Sequence, residues 1–161
     1  MCRYAAPYKP HLACFACRKS FKRRLLTDVE GGGPDRPARC PQCGGPMANM
    51  GLDFAPPKQR DVKAWQVVES LFEAGQTFHS CGCSGPGYRP RDRAALRAYY
   101  LRLLADFEHA AINVDPDTLP RVRVPNSAGG RPRWRTQTVD EVRAYWNDRA
   151  RALRGALAAL G

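Results

Sequence analysis

Between residues 61 and 75 the apolar side chains return every three or four positions, as Val62, Trp65, Val68, Leu71 and Phe72. That spacing belongs to one face of a helix. Asp61 can accept from the free N–H groups at its start, and Gly75 can adopt the left-handed conformation that stops it. A longer stripe, Leu96, Tyr99, Tyr100, Leu103, Leu104 and Phe107, predicts a second helix from Asp92 to about Ile112. His109, near its end, reads as a solvated or dipole-compensating residue. Thr138-Val139-Asp140-Glu141 is a capping box that opens a third helix. On it Val142, Tyr145, Trp146, Ala150, Leu153, Leu157 and Leu160 share a stripe long enough to dock on other helices or pair with a second chain.

The pattern before residue 55 is different. Short segments at 11–13, 20–26 and 46–52 read as strands, with Gly31-Gly32-Gly33-Pro34 as a loop tip. Two Cys-x-x-Cys turns interrupt them, Cys14-Phe15-Ala16-Cys17 and Cys40-Pro41-Gln42-Cys43-Gly44-Gly45. Each turn offers two thiolates to one ion, and together they complete the tetrahedron that Zn²⁺ accepts from sulfur. Glycine after Cys43 permits the positive φ of such a knuckle. In the first knuckle Arg18 stands in that place. The expected fold class is therefore α+β: an N-terminal three-stranded zinc ribbon, a small helical part with an extended Arg-rich arm, and a C-terminal amphipathic helix. The expected boundaries are 1–54, 58–112, 113–137 and 138–161, with Ala55-Pro56-Pro57 as an extended link.

Composition adds a partner class. Of the 161 residues 26 are Lys or Arg against 15 Asp or Glu, a formal charge of +11 that favours polyanions. No segment approaches the roughly 20 apolar residues of a membrane span, and the N-terminus lacks a secretory apolar run. The expected location is cytoplasmic, where cysteines stay reduced and serve as metal ligands. Three clusters of basic residues are candidates for contacting a polyanionic partner. Lys19, Lys22, Arg23 and Arg24 follow the first knuckle, where a formal −2 on a tetrathiolate zinc gives cations a screening use as well as a phosphate-binding one. Arg89, Arg91 and Arg93 follow a Gly-Pro-Gly turn that could cradle phosphate. Arg121, Arg123, Arg131, Arg133 and Arg135 alternate along the stretch 113–137, with Trp134 among them. Cations so spaced can follow a phosphate backbone, and an aromatic can stack on an unpaired base.

His79, Cys81 and Cys83 alternate in the loop Ser80-Cys81-Gly82-Cys83-Ser84-Gly85-Pro86-Gly87-Tyr88. They admit three readings: a second metal site needing a fourth ligand from Cys2, His11 or His109, a reactive dithiol, or a glycine-rich turn with small buried cysteines. Together with both knuckles, this loop resembles a group of small bacterial zinc-ribbon proteins, over about residues 10 to 92. The resemblance implies that ribbon and loop belong to one unit. It implies no substrate or reaction.

No paired carboxylates, Ser/His/Asp set or P-loop is present in the sequence. The expected function is non-enzymatic: a zinc-binding protein with one structural ion, binding RNA in preference to DNA, on the ribosome. An alternative is a protein-interaction adaptor whose ribbon meets an enzyme such as RNA polymerase. A third reading is a thiol or metal-transfer protein using Cys81 and Cys83.

Overall fold

A computed structural model of the chain describes residues 9–24, 37–78, 89–125 and 131–161. Its helices and two small antiparallel sheets make an α+β protein. The chain divides into two compact units, residues 1–96 and 97–161.

In the first unit, β1 (His11–Cys14), β2 (Lys19–Lys22) and β3 (Ala48–Gly51) form a sheet in the order β2-β1-β3. β1 lies in the middle, and its Leu12, Ala13 and Cys14 are buried. The turn between β1 and β2 is the first Cys-x-x-Cys, since the pairing runs from His11↔Lys22 to Cys14↔Lys19. The second Cys-x-x-Cys is likewise a turn, closed by the bridge Arg39↔Pro46 and by Met47 N–H donating to Ala38 at 2.9 Å.

Helix α1 (Val62–Glu73) begins where Asp61 accepts from the Ala64 N–H. It ends in a Schellman motif: Gly75, at φ 71°, donates to Phe72, and Gln76 donates to Leu71. Both ends are as its sequence predicts. The buried face differs from the expected stripe: Val62 is 45% exposed, Phe72 is half-buried, and Val67 is buried. Ala13, Ala48 and Met50 from the sheet, Phe54 after it, and Trp65 and Val68 from α1 form one core. Phe15, Phe72 and Phe78 pack against that core. The Trp65 indole donates to Lys58 across the link at 55–57. The division expected between residues 54 and 58 therefore cuts through a core, and the sheet is not a separate ribbon domain. Phe78 exchanges backbone hydrogen bonds with Met50 and Asp53 without forming a strand.

Helix α2 (Arg93–Ile112) begins where Asp92 accepts from Ala95, as expected. In the second unit, Tyr99, Tyr100 and Ala111 of α2 and Ala150 and Leu153 of α3 (Val139–Leu160) are buried. Phe107 meets Trp146 at 5.4 Å between ring centres, and the Arg149 guanidinium lies over Phe107. Thr138 and Glu141 complete the capping box. The stretch expected as an extended arm takes another form. After a 3₁₀ turn at Pro116–Thr118 the chain forms β4 (Arg121–Val124), which pairs antiparallel with β5 (Arg133–Thr136). Alternating valine and arginine in β4 suits a strand with one half-buried face, a pattern that the Pro and Gly residues around it obscure.

Candidate functional site

The two turns bring Cys14, Cys17, Cys40 and Cys43 together, with their sulfurs within 4.8 Å of one another. Cys14 Sγ lies 3.7 Å from Cys43 Sγ, and Cys17 Sγ 3.9 Å from Cys40 Sγ. An ion held by four sulfurs at about 2.3 Å separates its ligands by about 3.8 Å. The four positions therefore fit a tetrahedral, zinc-type site, and none of the thiols is in a disulfide. Cys14 and Cys40 are buried, Cys17 is half-buried and Cys43 is exposed.

The knuckles donate N–H groups to sulfur: Cys17 to Cys14 at 3.5 Å, and Gln42 to Cys40 at 3.4 Å. Such bonds favour thiolate. Burial raises the Cys14 thiol. Cys17 is pushed up to about 12, first by its hydrogen bond with Cys43 and then by burial. At Cys40 burial also raises the value, but the N–H groups of Cys43 and Gln42 outweigh it and bring the thiol down to about 7. The Cys40 thiolate forms easily, while Cys14 and Cys17 resist ionising beside it. A divalent cation removes that conflict.

Gly44 turns the second knuckle at φ 70°, and a Cβ on Gly45 would stand 3.3 Å from Cys43 Sγ. Arg18 turns the first at φ 51°, the sole positive φ of a non-glycine residue among the described residues. Its conformation is held from outside the knuckle. Arg18 Nε donates to the Gln59 carbonyl at 3.0 Å, and the Gln59 side chain donates to the Cys17 carbonyl at 3.1 Å. Gln59 is thus a positioning residue that the sequence pattern does not single out. Nothing local marks a glutamine 42 residues away from Cys17 as its partner.

His11 accepts or donates at Ser20 Oγ through Nδ1 and stands edge-on to Phe54. Burial, then Lys22, lowers its pKa. His79, Cys81, Cys83 and Cys2 lie outside the described residues. Among the described residues no second grouping of Cys, His, Asp or Glu is placed to hold a metal.

The basic residues differ in exposure. Arg89 donates to the Thr77 carbonyl at 2.9 Å and lies over the Phe78 ring. Arg91, Arg93 and Arg24 are exposed, as is Lys22 at the outer edge of the sheet, while Lys19 and Arg23 are half-buried. On the hairpin, Arg135 forms a two-pronged ion pair with Glu141. Arg121, Arg123, Arg131 and Arg133 are exposed and form no ion pair among the described residues. Trp134 is 60% exposed. Three acids of this unit pair with other arginines: Asp140 with Arg143, Asp148 with Arg151 and Glu108 with Arg154.

No helix among the described residues is long and apolar enough to cross a membrane. Comparison with known proteins gave no match to a family model, to a curated protein or to a solved structure.

Proposed function

We propose that the chain is a non-enzymatic zinc-binding protein that binds RNA, in a ribosomal setting, with a zinc ribbon as the scaffold of its first unit. The sulfur geometry supports zinc, the borderline-soft ion that takes four thiolates in structural sites. The observation that carries the RNA reading is the hairpin. Between Asp117 and Asp140 there is no acidic residue, and five arginines lie there. Four of those arginines form no ion pair among the described residues, while Glu141 is held by Arg135 and Asp140 by Arg143. Positive charge that no neighbouring carboxylate neutralises favours a polyanionic partner. Lys22 and Arg24 extend the basic surface of the first unit.

Binding of a labelled RNA by the full-length, zinc-loaded protein is expected to weaken steeply with salt, and the protein to travel with ribosomal particles at low salt. Absence of salt-sensitive binding to any nucleic acid would falsify the reading.

The second reading, an adaptor for an enzyme such as RNA polymerase, draws support from apolar exposure on the second unit, where Ile112 is 77% and Tyr145 50% exposed. Protein capture that survives nuclease and high salt would favour it.

A further inference from the structure

The pairing of β4 with β5 sorts the hairpin into two faces. Residues directly opposite in an antiparallel pair share a face, and successive residues alternate. The register Arg121↔Thr136, Val122↔Arg135, Arg123↔Trp134 and Val124↔Arg133 therefore puts Arg121, Arg123, Trp134 and Thr136 together. Val122, Val124, Arg133 and Arg135 share the other face. That second face is the more covered of the two: both valines are half-buried and Arg135, though exposed, is tied to Glu141, while Arg133 is exposed. Every residue of the first face is exposed. Trp134 makes no ring contact among the described residues.

We infer that this face binds single-stranded nucleic acid, RNA on the reading above, with Trp134 stacked on an unpaired base and Arg121 and Arg123 on the flanking phosphates. The inference rests on the proposed RNA binding and names the form of RNA. In a duplex each base already has neighbours on both faces, so an exposed indole finds nothing to stack on. The major groove of an RNA helix is also too deep and narrow for side chains to read. A two-stranded ribbon can enter the wider groove of duplex DNA, but it reads base edges there with hydrogen-bonding side chains. The centre of this face carries a bulky ring with a single N–H donor. Arg121 and Arg123 lie two residues apart on β4, about 7 Å along the strand, and Trp134 faces Arg123 directly. Cations and stacking surface thus lie side by side, as recognition of an unpaired strand requires.

The test uses full-length, zinc-loaded protein with labelled single-stranded RNA, the same sequence as RNA duplex, and single-stranded and duplex DNA. The single strand should bind more tightly than its duplex. Trp134→Ala should lose about tenfold in affinity with the salt slope unchanged. Trp134→Phe should restore most of that loss, which separates stacking from folding. Arg123→Ala should instead lower the slope of log K against log salt by about 0.7. Equal binding of single strand and duplex, or a Trp134→Ala protein that binds like the unaltered one, overturns the inference and leaves RNA binding standing. Failure of every oligonucleotide overturns both. Preference for single-stranded DNA over RNA overturns the RNA reading and keeps the single-strand inference.

Discussion

Arg18 shows how one residue can carry both a cost and its compensation. A left-handed backbone costs an L-residue about 1 to 2 kcal/mol, which glycine avoids. The hydrogen bond from Arg18 Nε to Gln59 offsets part of this. Arg18→Ala keeps the φ of 51° and loses the bond, so it should destabilise the metal-loaded protein by about 1 kcal/mol. Arg18→Gly loses the bond and the strain together and should be close to neutral. Denaturant unfolding of the two variants checks this, and identical midpoints would show that the left-handed turn carries no cost. Glu141 is the counterpart in the second unit. Its carboxyl is held down to about 2, from an ordinary 4.5, by Arg135 first and by the Thr138 N–H second. A lowered carboxylate pKa contributes stability that is complete above 4.5 and lost as pH falls through about 2. Thermal unfolding followed by helical circular dichroism should therefore weaken more across that window for the unaltered protein than for Glu141→Gln. Parallel curves would mean that the pair contributes nothing.

At the scale of elements, three of the helix boundaries rest on single polar residues, and these are legible in the sequence alone. Asp61, Asp92 and Thr138 each accept from the first turn that follows them. The Thr138 cap acts twice, because its partner Glu141 also holds Arg135 and so ties β5 to the start of α3. Thr138→Ala should cost about 1 kcal/mol in unfolding free energy. It should also broaden the Trp134 indole resonance, since the anchor of β5 loosens with the cap. A sharp, unshifted Trp134 signal in that variant would show that cap and hairpin are independent. The hairpin itself is not legible in the sequence. Its strands are four residues each, and their pairing depends on contacts across an intervening stretch rich in Pro and Gly that by composition reads as linker.

At the scale of the whole molecule, the question is what holds the first unit together. Trp65, Val67, Val68 and Leu71 of α1 are buried, worth about 1.5 to 3 kcal/mol each. Ordering the 12 residues of α1 costs about 1 to 2 kcal/mol apiece in backbone entropy alone. The burial of these four side chains by itself therefore does not offset the cost of ordering the helix. Structural zinc contributes on the order of 10 to 16 kcal/mol in finger peptides, so a zinc ion at the four cysteines, as proposed above, would decide the balance. Cys40→Ser should lower the zinc content by one ion in native mass spectrometry and expose Trp65, which is 2% exposed in the folded chain. Unchanged Trp65 fluorescence after chelation or in that variant would assign the stability to the core alone.

By itself the sequence determined what local chemistry determines: the helix caps, the glycine stops, the two pairs of thiols and the excess of positive charge. These depend on residues within a few positions of each other, so spacing suffices to read them. Tertiary structure alone decided that α1 and the sheet share one core, that Gln59 supports the first knuckle, and that Arg135 is committed to Glu141 while Arg121 and Arg123 stay open. It also decided that Trp134 faces Arg123 on the exposed side of a strand pair. Each of these is a contact between segments whose approach is set by the summed burial of the whole unit, and no single stretch of the chain encodes it.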